Sequence, residues 1–197
     1  MGRDKVQRIH VIAGMNPRDR GFVNETTTLA HIETQKVSYD KEQLQILDQY
    51  GFVTTAYQGN ENCVGVDNYG LRQMRGNIVT HNHPGVYGGT FSDADIATLG
   101  CGMTELRASG IEGTYSMKAT KKSDPQSFYK AYIRAAPQLQ TQMKKIAEAN
   151  GAKRYRNHDQ YVEENRRTQL QVIHDWYQKN AEQYGYVYTF EPREKDG

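Results

Sequence analysis

A chain of 197 residues with a formal net charge of +2 has room for one good-sized domain and a substantial core. Its mean hydropathy of −0.85, with no apolar run near the roughly 20 residues a spanning helix needs, excludes a membrane-crossing helix. The start shows no secretory pattern, and Cys63 and Cys101 lack Cys-x-x-Cys spacing, so both read as thiols of a reducing compartment, with a single disulfide as the alternative.

In chain order, residues 6–13 alternate well enough for a strand, and 14–21, with Pro17, read as a turn. The Thr-rich stretch 22–40 reads as strand or loop. Short strands are expected over 43–47, 52–57 and 63–66, and a helical turn over 69–74. Residues 76–79 form an apolar strand that runs into Thr80-His81-Asn82-His83-Pro84. Alternate side chains on a strand share a face, so His81 and His83 point one way and Asn82 the other, in a structural role. Pro84 ends the ladder, because it has no N–H to donate.

Asp95 follows about a dozen residues later, and two imidazoles with one carboxylate make a three-ligand metal site that leaves a fourth position for water. Ser92-Asp93-Ala94-Asp95 is equally a helix start, with Ser92 as cap and a helix running on to Gly100. The two readings are compatible. A helix that begins just after the strand brings Asp95 back over the imidazoles.

Residues 112–118 read as a returning strand. Asp124-Pro125 caps and opens a helix carrying Phe128, Tyr129, Tyr132, Ile133 and Ala136 at helical spacing. The pattern resumes beyond Pro137 with Leu139, Met143, Ile146 and Ala147, and Pro137 is expected to kink or split the helix. A second amphipathic helix is expected over 162–184, stopped by Gly185, with a closing strand over 186–190. The aromatic stripe of this region reads as core. His10, His31, His158 and His174 have no partner at ligand spacing and read as surface or packing residues. The organisation is then a metal-binding unit over 1–120 and a helical extension with a short terminal strand over 121–197, packed on the same domain.

Charge is unevenly spread. Residues 1–117 carry 10 basic and 13 acidic side chains, whereas 118–179 carry 13 and 6. Such a split permits contact with nucleic acid or an acidic protein surface through the basic C-terminal region.

His81-Asn82-His83-Pro84 with Ser92 and Asp95 resembles the motif of the JAB/MPN/JAMM metallopeptidase family, a glutamate followed by His-x-His-Pro and Ser-x-x-Asp. The His-Asn-His-Pro form is that of the RadC-like bacterial branch. Eight residues separate His83 from Ser92, one more than the family pattern, and the loop Gly85-Val86-Tyr87-Gly88-Gly89 can absorb it. The likeness extends over residues 40–118, where segments 44–51, 74–80, 105–107 and 115–117 are similar to a phage-associated subgroup. There the module is attached to head-morphogenesis or minor capsid proteins.

The resemblance implies an α+β fold: a JAMM-like (cytidine-deaminase-like) mixed sheet sandwiched by helices, with the metal at a sheet edge and a helical C-terminal extension. It implies Zn2+ held by His81, His83 and Asp95. Glu42, which opens the run 41–48, would be the catalytic glutamate that holds the water, with Glu33 as second choice ahead of Glu25 and Glu61. Ser92 would donate to the oxyanion, and Tyr87 would belong to a flap or a plain connecting loop. The implied activity is hydrolysis of a peptide or isopeptide bond in a protein or peptide substrate. Phage capsid or assembly proteins are implied partners, and the bacterial host cytoplasm or the virion the implied location. The rival readings are a RadC-like DNA-associated protein and a non-catalytic phage structural module. An HNH nuclease is set aside because Pro84 and Ser-x-x-Asp do not suit a ββα-metal scaffold, and a zinc deaminase because no Pro-Cys-x-x-Cys follows.

Overall fold

The computed structural model describes residues 7–9, 33, 40–61, 63–84, 89–151, 153 and 155–193. The turn expected over 14–21, nearly all of 22–40, His10, Glu25, His31 and the loop residues 85–88 with Tyr87 lie outside the described residues.

Seven strands form one mixed sheet in the order β1-β3-β2-β4-β5-β6-β7. They are β1 (Gln7–Ile9), β2 (Gln43–Leu47), β3 (Val53–Gln58), β4 (Ile78–Asn82), β5 (Glu105–Gly110), β6 (Gly113–Ala119) and β7 (Tyr186–Pro192). Among the described residues the helices with both ends defined are α1 (Asn68–Gln73), α2 (Asp93–Thr98), α3 (Pro125–Gly151) and α4 (His158–Asn180). All strand pairs are antiparallel except β4 with β5, whose parallel pairing requires a crossover, and α2 supplies it. The architecture is therefore α+β.

Register assigns the two faces. Leu44 lies opposite His81 and Tyr57, Val79 opposite Leu106, and Ala108 opposite Tyr115, all on one side. Onto this side pack Met74, Ile96, Leu99, Phe128, Tyr132, Leu139 and Tyr177 in a single apolar cluster. Phe128 and Tyr177 are fully buried, and side chains of this size contribute about 1.5–3 kcal/mol each. Helices α1 to α4 thus all feed the core on the same face. The opposite face holds a small cluster of Leu47 and Ile78 beside a buried polar network. Glu33, itself helical, joins this network from the same side.

Several expectations need correction. Residues 63–66 are not a strand: both edges of β3 are taken, by β1 and β2, so Val64 and Val66 turn inward and pack on the core instead. Strand β5 carries no strand signal in its hydropathy, because only Leu106 and Ala108 of Glu-Leu-Arg-Ala-Ser-Gly are apolar. Its other face carries Glu105, Arg107 and Ser109, buried in the polar network rather than in a hydrophobic layer. Pro137 does not split α3, which runs unbroken from Pro125 to Gly151. The proline sits on the exposed side of the helix, its carbonyl accepts a hydrogen bond from Thr141 Oγ1, and Tyr132 and Leu139 anchor the helix on either side. Helix α4 begins four residues early, because Asn157 caps it through the Gln160 N–H. Finally, β4 is the fourth of seven strands, so its end is at the centre of the sheet and not at an edge.

Residues of the expected 121–197 extension are built into the sheet. Strand β7 pairs with β6 along its whole length, after Gly185 reverses the chain at φ +79°. Among the described residues no helix is long and apolar enough to cross a membrane, and both cysteines are free.

Candidate metal centre

The candidate centre lies at the C-terminal end of β4, beside its parallel neighbour, where the sheet switches from antiparallel to parallel pairing. His81 sits within β4 and is almost fully buried. His83 stands one residue past the assigned strand, yet its N–H still donates to Ser109 O at 2.8 Å, so the ladder with β5 carries it onto the same face. Pro84 then closes the ladder.

The ligand-type atoms converge. His81 Nε2 and His83 Nε2 are 3.0 Å apart. Asp95 Oδ1 is 3.3 Å from His81 Nε2, and Asp95 Oδ2 is 3.7 Å from His83 Nε2. Ligand atoms about 2.0–2.1 Å from a tetrahedral zinc stand roughly 3.3 Å from one another, and the three separations bracket that value. The donor set of two neutral imidazoles and a carboxylate suits zinc.

Two of the three candidate ligands, His83 and Asp95, are oriented by a second contact. His83 Nδ1 donates to Gly89 O at 2.8 Å, which fixes the tautomer and leaves the Nε2 lone pair facing the centre. Asp95 is the third residue of α2, and its capping box with Ser92 is complete. Its Oδ2 accepts from Ser92 N and Oγ at 2.8 and 2.7 Å, while its Oδ1 faces His81. Capping and an inward-facing carboxylate therefore coexist in one side chain. His81 is held differently: its Nδ1 is buried and has no partner among the described residues, so the ring depends on β4 and on packing for its orientation.

Electrostatics reflect this crowding. Burial alone would raise the Asp95 carboxyl, but the charge and hydrogen bond of His81, then the contacts of His83, hold it well below the usual carboxylate range. Burial would lower His83, but Asp95 and the Gly89 carbonyl more than offset it and raise the imidazole. For Glu42, burial pushes the carboxyl up, with His81 and His83 opposing the rise.

Glu42 lies just before β2. Continuing the pairing of Leu44 with His81 sets Glu42 opposite His83 on the centre's face. A carboxylate oxygen lies within 4.8 Å of both imidazole ligand atoms, without an ion pair to either among the described residues. Glu42, His81 and His83 thus themselves form a group close enough to hold a metal ion. Glu33, the second choice, is on the opposite face, where it accepts from Arg107 at 2.7 and 3.0 Å. Glu61 is exposed in the turn after β3, away from the cluster. The Ser92 hydroxyl donates to Asp95 Oδ2 here, so it must turn to meet an oxyanion.

Residues of the C-terminal part support the centre, a role that spacing along the chain did not reveal. Tyr177 Oη donates to Phe91 O at 3.0 Å, and Thr90 Oγ1 is 2.8 Å from Tyr188 Oη, which lies 2.9 Å from His174 Nδ1. His174 is thus a packing histidine amid Tyr115, Tyr188 and Phe190, and His158 is exposed. Together these contacts brace the segment that carries Gly89 and Ser92. Tyr188→Phe keeps the rings stacked but leaves the Thr90 hydroxyl without its partner. It is expected to lower stability by about 1–3 kcal/mol, measured by urea denaturation; a change near zero would show that the brace is dispensable.

A scan of family models found no match to the chain, and comparisons with curated proteins and with solved structures found none either.

Proposed function

We propose that the protein is a zinc-dependent hydrolase that cleaves a peptide or isopeptide amide bond. One observation carries this reading: two imidazole nitrogens and a capped carboxylate converge at 3.0–3.7 Å, with a second, buried carboxylate standing just outside contact distance. A closed structural site has four protein ligands, whereas His81, His83 and Asp95 as ligands with Glu42 as base would keep a position for water, as in a catalytic centre.

Zinc, held by His81, His83 and Asp95, would lower the pKa of a coordinated water from near 16 to about 7. Glu42 would take up a proton from the attacking water as the water adds to the amide carbonyl carbon, and would return it to the leaving nitrogen as the C–N bond breaks, a general base turned general acid. Burial, which raises the Glu42 carboxyl, brings it nearer the range in which a carboxylate can both take and return a proton. The Ser92 hydroxyl, once turned from Asp95, would donate to the developing oxyanion, and in the meantime it orients the ligand.

The test is metal content by mass spectrometry of the purified protein beside His83→Ala. The wild type is expected to hold about one zinc per chain, and the variant to bind it more than about 100-fold more weakly, beyond the effect of an outer-sphere change. A wild type that takes up no metal even when zinc is supplied would overturn the hydrolase reading.

A further inference from the structure

His81 and His83 are held on or directly beside β4, and Asp95 is locked into α2 by its capping box, whereas Glu42 lies outside any regular element. What holds it in place follows from the register. Extending the pairing of Leu44 with His81 sets Gln43 opposite Asn82 and Lys41 opposite Pro84. A proline has no N–H, so the Lys41 carbonyl is deprived of the donor that an ordinary ladder would supply.

Asn82 takes over. Its Nδ2 donates to Lys41 O at 3.2 Å, and its Oδ1 accepts from Gln43 N at 2.7 Å. On the other side, Glu42 N donates to Asn60 O at 2.7 Å, and Gly59 N donates to Glu42 O at 2.8 Å. Each backbone polar group from the Lys41 carbonyl to the Gln43 N–H thus has a partner, and Asn82 supplies two of those four. The Asn82 side chain is fully buried and points away from the face that carries His81 and His83, so it reaches Glu42 only through the backbone.

We propose that Asn82 is a positioning residue for Glu42: its carboxamide fixes the two peptide groups that flank Glu42 and so holds the carboxylate over the two imidazoles. This rests on the reading of Glu42 as the base of a zinc centre. The histidine pair and the general base are then coupled through the residue between the two ligands, and Pro84 is what makes an amide necessary there. Alanine at 82 frees the Lys41 carbonyl and the Gln43 N–H, and residues 40–42 have nothing else on β4 to rejoin.

The experiment uses the zinc-loaded full chain and acetohydroxamate, a small chelator whose hydroxyl proton is taken up by a carboxylate placed beside the metal. Zinc content and the dissociation constant for acetohydroxamate are measured for wild type, Asn82→Ala, Glu42→Gln and the double variant. All four are expected to keep about one zinc per chain, and Asn82→Ala to weaken acetohydroxamate at least about fivefold. The double variant is expected to be no weaker than Glu42→Gln alone, because both changes remove the same interaction. A merely structural role for Asn82 would lower the melting temperature without that coupling.

Asn82→Ala that binds acetohydroxamate like the wild type while Glu42→Gln binds it weakly would overturn the proposal and leave the zinc-hydrolase reading standing. Fully additive effects, or loss of zinc from Asn82→Ala, would overturn it as well. If Glu42→Gln changes nothing although zinc is bound, the assignment of the base has failed, and the proposal fails with it. Should Asn82→Ala not fold, Asn82→Ser, which keeps an acceptor for Gln43 N–H, is measured against the same criteria.

Discussion

Glu42→Gln is expected to retain about one zinc per chain and to lower the rate of amide hydrolysis by about 10²–10⁴-fold, the usual contribution of a positioned general base. Glutamine keeps the shape of the side chain and removes only its capacity to take up a proton. Because no contact shorter than 4.0 Å joins Glu42 to either imidazole among the described residues, the ligand set is left intact. The measurement pairs metal analysis with turnover on a panel of fluorogenic peptides and isopeptide-linked substrates on which the wild type is active. A variant as active as the wild type would remove Glu42 from the mechanism. One that loses zinc would make Glu42 a fourth ligand and turn the centre into a closed, structural one.

Arg107→Met is expected to destabilise the protein by about 3–5 kcal/mol. The Arg107 guanidinium donates through Nε and Nη2 to Glu33 and through Nη1 to Glu105 at 2.7 Å, and all three residues are at least nine-tenths buried. Burial works against the cation, yet Glu33 and then Glu105 hold its pKa well above the ordinary arginine value. Methionine fills much of the same volume but leaves two carboxylates in the interior without a counter-charge. Thr80, Thr114 and Ser116 donate to the same carboxylates and cannot replace the charge. Guanidinium denaturation of the variant, beside a version that also carries Glu33→Gln and Glu105→Gln, checks the origin of the loss. Recovery of a large part of the stability in the triple variant is expected. A loss below about 1 kcal/mol for Arg107→Met would mean that water reaches the network.

This network also explains why the far face of the sheet was illegible along the chain. A strand whose outer residues are Glu, Arg and Ser looks like a solvated loop, because hydropathy takes no account of partners. Glu33 and Arg107 are 74 positions apart, and nothing local predicts that their charges cancel. Glu33 is likewise a buried upstream carboxylate, but it lies on the face away from the two imidazoles. Glu42 and Glu33 could be separated only by the β2–β4 register and by the side chains across the sheet.

What the sequence determined by itself were the features set by neighbours within a few residues. Alternation placed His81 and His83 on one face, Ser92-x-x-Asp95 capped α2, Pro84 ended β4, Asp124-Pro125 opened α3, and Gly185 turned the chain into β7. Each follows from backbone geometry and short-range hydrogen bonding, which travel with the residue type. Tertiary structure alone decided the rest. It put β4 at the centre of the sheet, denied residues 63–66 a partner strand, kept α3 whole across Pro137, and brought Tyr177 and Tyr188 to brace the segment behind the candidate centre. Those outcomes depend on which edges and faces remain available once distant segments meet, a competition for partners that no local window of the chain contains.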